Sequence, residues 1–259
     1  MSNVIEVENL TKTFGHAARW FSPAAHQVQA VKGISLHLAA GETLAVVGES
    51  GSGKSTLARM LVGLETPTSG TIRLMGNETG PGRSAKENGR LIQYVFQDPV
   101  ASLNPRKTIA ETLDVPLKAL CGYGSAKRKA RMLELMEAVK MPADALIGYP
   151  HEFSGGQAQR LALARALAAE ARILVLDEPV SALDVSVQAQ VLLLLEQLKE
   201  QFGLSYLFIS HDLAVVESIA DRVAVMYHGD LVECADNATL FRSPQHRYTQ
   251  SLLASAPRL

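Results

Sequence analysis

The chain has 259 residues, 47% of them hydrophobic, which is enough to bury a large core as one sizeable domain or as a domain carrying an insertion. Lys plus Arg number 25 against 26 for Asp plus Glu, a net charge of -1, so nothing in the overall charge draws the chain onto a polyanion and no nucleic-acid partner is expected. The two cysteines, Cys121 and Cys234, lack any zinc-binding spacing and read as free thiols in a reducing compartment.

The N-terminal "MSNVIEVENLTKTF" places Glu6 and Glu8 where a signal peptide needs a basic start and an apolar run, so no export is expected. "IEVENL" and "ISLHL" read as strands that follow each other without a helix, which predicts an antiparallel β element at the N-terminus. "TLAVV" is a buried strand, the glycine-rich "GESGSGKST" follows it, and a helical pattern runs over 54–64. "TIRLM" is the next strand, and 76–89 reads as a turn-rich surface loop.

After the strand "IQYVF" the rhythm changes. Residues 98–170 carry helical patterns over 108–120, 126–140 and 157–169 and no convincing strand, which predicts a helical insertion. Lys127, Arg128, Lys129 and Arg131 fit a solvated helix face. The strand "RILVL", a helix over 185–202, the strand "SYLFI", a helix over 212–220 and the strand "RVAVMY" complete the pattern. "VLLLLEQL" is interrupted by Glu196 and is far shorter than the roughly 20 apolar residues that span a bilayer, so work at a membrane requires another chain to supply the spanning helices. The alternation makes the fold class α/β, and the strand–GESGSGKST–helix order, which matches G-x-x-x-x-G-K-[ST], makes its core that of a P-loop NTPase: a mostly parallel sheet (1–97 and 171–259), an N-terminal antiparallel β element and an inserted helical subdomain (98–170).

The chemistry concentrates at strand ends. "GESGSGKST" spans Gly48, Glu49, Ser50, Gly51, Ser52, Gly53, Lys54, Ser55 and Thr56 and matches G-x-x-x-x-G-K-[ST]. Its glycines let backbone N–H groups turn inward around phosphate oxygens, Lys54 reaches the outer phosphates, and the Ser55 hydroxyl suits Mg²⁺. Chance produces such a pattern in roughly one percent of chains of this length, and the strand before it and helix after it lower the odds further. Asp177 and Glu178 emerge at the carboxyl end of "RILVL", where ligands bind in open α/β sheets. An acidic pair there is usually a turn or cap, but beside a P-loop it reads as an Mg²⁺ carboxylate (Asp177) and a group that polarises water (Glu178). Gln97 follows "IQYVF" and His211 comes one residue after "SYLFI", so four strand ends bring polar groups to one rim. Phe14 is the candidate adenine platform, with Trp20 and Phe21 as alternatives and a core role for Phe14 equally compatible. In "FSGGQAQR", Ser154, Gly155 and Gly156 open a helix; the sequence allows either an ordinary N-cap or a second anion site.

These motifs together make the sequence resemble an ABC transporter ATP-binding subunit, over essentially the whole chain. The resemblance identifies 48–56 as Walker A, Gln97 as the Q-loop, 153–157 as the signature, 173–178 as Walker B, "SALD" (181–184) as the D-loop and His211 as the switch histidine. It implies that ATP is sandwiched between one cassette's P-loop and the signature of a second cassette, the same chain or a paralogue. The ATP and Mg²⁺ site would use Lys54, Glu178, Gln97 and His211 catalytically, Ser55, Gln97 and Asp177 for metal, and Ser154, Gly155, Gly156, Gln157 and Asp184 around the nucleotide. "VFQDPVASLNPR", "SALDVSVQAQ" and "SPQHRYTQSLLASAP" are similar to the peptide, oligopeptide and nickel importer group, with Arg247 where that group has proline and Phe153 where leucine is commoner. The resemblance implies integral membrane permease subunits, indirect dealings with an extracytoplasmic solute-binding protein, and a place at the cytoplasmic face of the membrane. The alternative is a soluble nucleotide-gated clamp or assembly ATPase of the same fold.

Overall fold

The computed structural model describes residues 2–15, 27–79 and 84–255. Trp20 and Phe21 lie outside them. The chain divides into two compact units, one of Met1–Pro81 with Ile209–Leu259 and one of Gly82–Phe208.

In chain order the first unit holds β1 (Asn3–Phe14), β2 (Val28–Ala39), β3 (Thr43–Val47), α1 (Lys54–Leu61), β4 (Ser69–Leu74) and β5 (Asn77–Thr79). The second holds α2 (Ala85–Gly89), β6 (Ile92–Val95), α3 (Pro99–Ser102), α4 (Ile109–Ala119), α5 (Ser125–Ala138), α6 (Gly155–Leu167), β7 (Ile173–Asp177), α7 (Val185–Phe202) and β8 (Ser205–Ile209). The first unit resumes with α8 (Leu213–Ile219), β9 (Arg222–Tyr227), β10 (Asp230–Asp236), α9 (Asn237–Arg242) and α10 (Arg247–Ser255).

Within the first unit, β2-β1-β4-β5 form the expected antiparallel sheet. Beside it, β3 pairs in parallel with β9, from Leu44↔Arg222 to Val47↔Val225, and β10 runs antiparallel to β9. Within the second, β6 and β7 pair in parallel and β8 neighbours β7. All five residues of β3, β7 and β8 are buried, as continuous β-branched and aliphatic runs require when both faces of a strand are covered. Between β6 and β7 there are only helices, including two short 3₁₀ turns at Ala143–Ile147 and Pro150–Glu152.

Capping chemistry sets most helix ends. Thr108 and Glu111 form a capping box at α4, and Asp184 caps α7, whose far end closes on Gly203 at φ 62°. α1 stops at Leu61, earlier than its hydrophobic pattern suggests, because Gly63 (φ 78°) closes a Schellman motif: Gly63 N donates to Met60 O and Leu64 N to Arg59 O.

The described parts of 76–89, residues 76–79 and 84–89, form regular elements where the turn-rich composition suggests a loop. Met75 and Gly76, both at positive φ, form a two-residue turn that pairs β5 with β4, and Ser84 with Glu87 builds a capping box that starts α2. β10 follows a second two-residue turn, His228 (φ 46°) and Gly229 (φ 89°). Among the described residues no helix is long and apolar enough to cross a membrane.

Candidate functional site

The glycine loop lies in the first unit. β3 delivers Gly48 and α1 receives Lys54, so the loop joins a buried strand to a helix N-terminus whose N–H groups face the loop. Gly48 has φ 145°, and a Cβ there would lie 2.1 Å from Met226 O; Gly53 has φ 103°, and its Cβ would lie 2.2 Å from Ala30 O. Backbone from β2 and β9 therefore presses against the loop and leaves no space for side chains at these two positions. Lys54 is only 6% exposed, and its Nζ donates to Gly48 O (2.6 Å) and Glu49 O (2.8 Å), which folds the ammonium back over the loop. Glu49, Ser50 and Gly51 are exposed, Ser52 is buried, and Ser55 and Thr56 are half-buried.

Gly48→Ala tests this geometry. A left-handed backbone costs a side chain about 1–2 kcal/mol, and the collision with a backbone carbonyl cannot be relieved by a rotamer change. The expected outcome is loss of nucleotide binding in a chain whose far-ultraviolet circular dichroism is unchanged; retained binding would show that the loop tolerates a Cβ.

Also in the first unit, Ser210 N donates to Val46 O on the strand that carries the loop, and the next residue, His211, is exposed. Phe14 ends β1 opposite Val28 and is 40% exposed, with Lys12 Nζ 4.9 Å from its ring centroid. Its ring is a surface feature, not part of the core.

The second unit carries the carboxylates. Asp177 is the last residue of β7 and 6% exposed, and its Oδ2 accepts from the Tyr94 hydroxyl on the adjacent strand β6. Glu178 follows at φ 49°, a left-handed conformation for a side-chain-bearing residue immediately before Pro179. Such a backbone costs of order 1 kcal/mol and is found where a side chain must be aimed. Gln97, just past β6, donates from Nε2 to Glu178 Oε2 at 2.9 Å, so the glutamine and the glutamate touch. The amide oxygen of Gln97 is not part of that bond and suits a hard cation.

α6 begins where the sequence places a helix start. Ser154 is its N-cap, Gln157 N donates to Ser154 Oγ (3.4 Å), and the Gln157 Oε1 accepts from Ser154 N (3.0 Å). Gly155 is exposed; Gly156 is buried, and a Cβ there would lie 2.4 Å from Val187 Cγ1 on α7. The glycine at 156 thus lets α6 approach α7. Asp184 accepts from Val187 N and from Ser186 Oγ; the serine hydroxyl, more than any other group, holds its carboxyl below the usual carboxylate range.

Tyr94 and Arg165 were not singled out by the sequence. Arg165 on α6 donates to Ser102 O on α3, and burial pushes its guanidinium pKa down. It ties the helix that starts at Ser154 to the segment after Gln97. The only sequence signal for Tyr94 is a phenol inside a buried strand, which needs a hydrogen-bond partner.

The ABC transporter family model matches residues 31–181, more than half of the chain. A putative peptide import ATP-binding protein of Brucella abortus is 50% identical over 234 residues, covering 89% of this chain and 70% of that protein. The oligopeptide transport ATP-binding protein OppD of Mycobacterium tuberculosis is 48% identical over 260 residues, covering 99% of this chain and 42% of its own, longer length. Among solved structures, the ATP-binding cassette MJ0796, in a dimeric post-hydrolysis state bound to ADP and Pi, superposes with a TM-score of 0.78 at 28% identity, covering 90% of this chain and 98% of that one. A strand-to-helix glycine loop, a strand-end Asp-Glu pair and a Ser-Gly-Gly helix start occur here within one α/β fold like that of the solved cassette. The chain belongs to the ABC transporter family.

Proposed function

We propose that this chain is the ATP-binding, ATP-hydrolysing subunit of a membrane importer for peptides or a related small solute. The observation that carries the proposal is Glu178, fixed at positive φ at the end of β7 and hydrogen-bonded to Gln97. The names of the Brucella and mycobacterial relatives, a peptide import and an oligopeptide transport ATP-binding protein, support the peptide-import part.

The residues fit a nucleotide with its cation. Gly48 and Gly53 have no space for a side chain, and Lys54 Nζ is held by two carbonyls of the loop. The P-loop amides from Gly48 to Thr56 and Lys54 hold the phosphates, and Phe14 offers its exposed ring to the adenine. On the family resemblance, the Ser55 hydroxyl, the Gln97 amide oxygen and the Asp177 carboxylate would hold Mg²⁺, which would neutralise charge on the outer phosphates. Tyr94 keeps the Asp177 carboxylate oriented. Glu178 polarises the attacking water, and His211 holds the γ-phosphate.

Ser154, Gly155, Gly156 and Gln157 close the site of a second cassette, with Asp184 near the same nucleotide. The helices of 98–170 pass closure to permease subunits at the cytoplasmic face, and a solute-binding protein acts indirectly across the membrane.

Chelation of Mg²⁺ by EDTA is expected to abolish ATP turnover, with excess Mg²⁺ restoring it. Purification from native membranes is expected to bring integral membrane subunits with the chain; recovery only in a soluble complex would overturn the importer reading.

A further inference from the structure

The glycine loop has a partner that no nucleotide-site motif supplies. Glu49 N donates to the hydroxyl oxygen of Tyr248 on α10 at 3.1 Å, across 199 residues of sequence. The Tyr248 ring packs on Tyr227, with centroids 4.1 Å apart, and Tyr227 is the last residue of β9. The turn after it returns to the same loop, because Gly229 N donates to Ser52 O at 3.0 Å. One aromatic pair and one hairpin turn therefore grip the loop at Glu49 and at Ser52.

α10 is itself anchored. The Glu233 carboxylate on β10 accepts from Gln245 N (2.8 Å) and His246 N (3.0 Å), just ahead of α10. Burial raises the Glu233 carboxyl, but these amides, with Thr249, outweigh it and hold it below the usual carboxylate range. Thr249 is fully buried, and Leu252 and Leu253 pack on the core built by Val47, Val216 and Val225. Tyr248 is thus held on a fixed support and not on a loose tail. Glu49 N shares a planar peptide unit with Gly48 O, which accepts from Lys54 Nζ at 2.6 Å, so fixing that peptide also fixes one of the two carbonyls that orient the lysine.

We infer that Tyr248 is a positioning residue for the nucleotide: its hydroxyl sets the Gly48–Glu49 peptide, and through the Gly48 carbonyl Lys54, before ATP arrives. The inference rests on the proposed ATP site and adds the C-terminal helix to it. It gives "HRYTQSLL" a physical role that composition alone does not suggest. A loop pre-set in this way binds phosphate without first paying to order its backbone.

The test is Tyr248→Phe, which keeps the ring stacking on Tyr227 and removes the acceptor. Losing one neutral hydrogen bond that organises the loop is expected to weaken ATP binding about fivefold, and to raise KM by a similar factor with kcat at saturating ATP unchanged. The melting temperature should stay within about two degrees. Ser218→Ala, which removes one hydroxyl hydrogen bond at an exposed residue of α8, serves as the comparison and should bind ATP as the parent does. Parent-like ATP affinity in Tyr248→Phe, tighter binding, or a fall in kcat alone would overturn the inference. If Tyr248→Phe unfolds, the same reading is taken from Glu233→Gln, which weakens the α10 anchor; unchanged ATP affinity there counts against the inference too. Failure of the parent chain to bind ATP, under conditions where it is folded, would instead remove the ATP site itself.

Discussion

Glu178→Gln is expected to lower steady-state ATP hydrolysis by about 100-fold or more, the range that a positioned general base contributes, while ATP binding stays near the parent value. Gln is isosteric with Glu, so the φ of 49° and the contact with Gln97 need not change: an amide oxygen at the position of Glu178 Oε2 still accepts from Gln97 Nε2. What is lost is the negative charge that orients and deprotonates water. The nucleotide would then stay intact in the closed site, and the variant should accumulate as an ATP-bound dimer. Phosphate release and nucleotide affinity, measured on the same preparation, separate the two effects. Unchanged hydrolysis would remove Glu178 from the reaction.

Gly155→Asp is expected to abolish turnover to a comparable degree by a different route. Gly155 is exposed in the first turn of α6, and a Cβ there meets only Leu183 Cδ2, at an ordinary 3.4 Å. An acidic side chain in the first turn is electrostatically favourable for the helix by some 0.3–1 kcal/mol, so the chain should fold normally. The new carboxylate would nevertheless stand where the account puts the γ-phosphate of the second cassette, and two anions in a desolvated interface repel strongly. ATP should still bind to the loop of each separate chain, because that loop lies in the other compact unit. A variant that hydrolyses ATP at the parent rate would show that the Ser-Gly-Gly helix start is only a cap. Gly156 is less suitable for this test: its Cβ would strike Val187, and loss of activity there could arise from displaced packing.

The sequence made the strand-end positions legible because local rules govern them. "TLAVV" and "RILVL" are buried runs whose ends must present polar residues, and Ser154 ahead of a helical run reads as an N-cap, which the structure completes as a capping box with Gln157. The α/β class and the antiparallel N-terminal sheet followed from the same periodicities. Contacts between distant residues were not legible. Tyr94 with Asp177 and Tyr248 with Glu49 join positions 83 and 199 residues apart, and no spacing code announces a hydroxyl partner at such separations. The hairpin turns at Met75-Gly76 and His228-Gly229 escaped notice for a local reason: a Met or His at positive φ is an uncommon first turn residue.

The central claim is that the helix start at Ser154 completes the nucleotide site of a neighbouring cassette. Light scattering on Glu178→Gln, with and without Gly155→Asp, tests it most directly. In Mg²⁺ and ATP the single variant should double its mass from 27.9 kDa, and the double variant should remain at 27.9 kDa while still binding ATP. Equal dimerisation of the two variants, or no ATP-dependent change in either, would contradict the account.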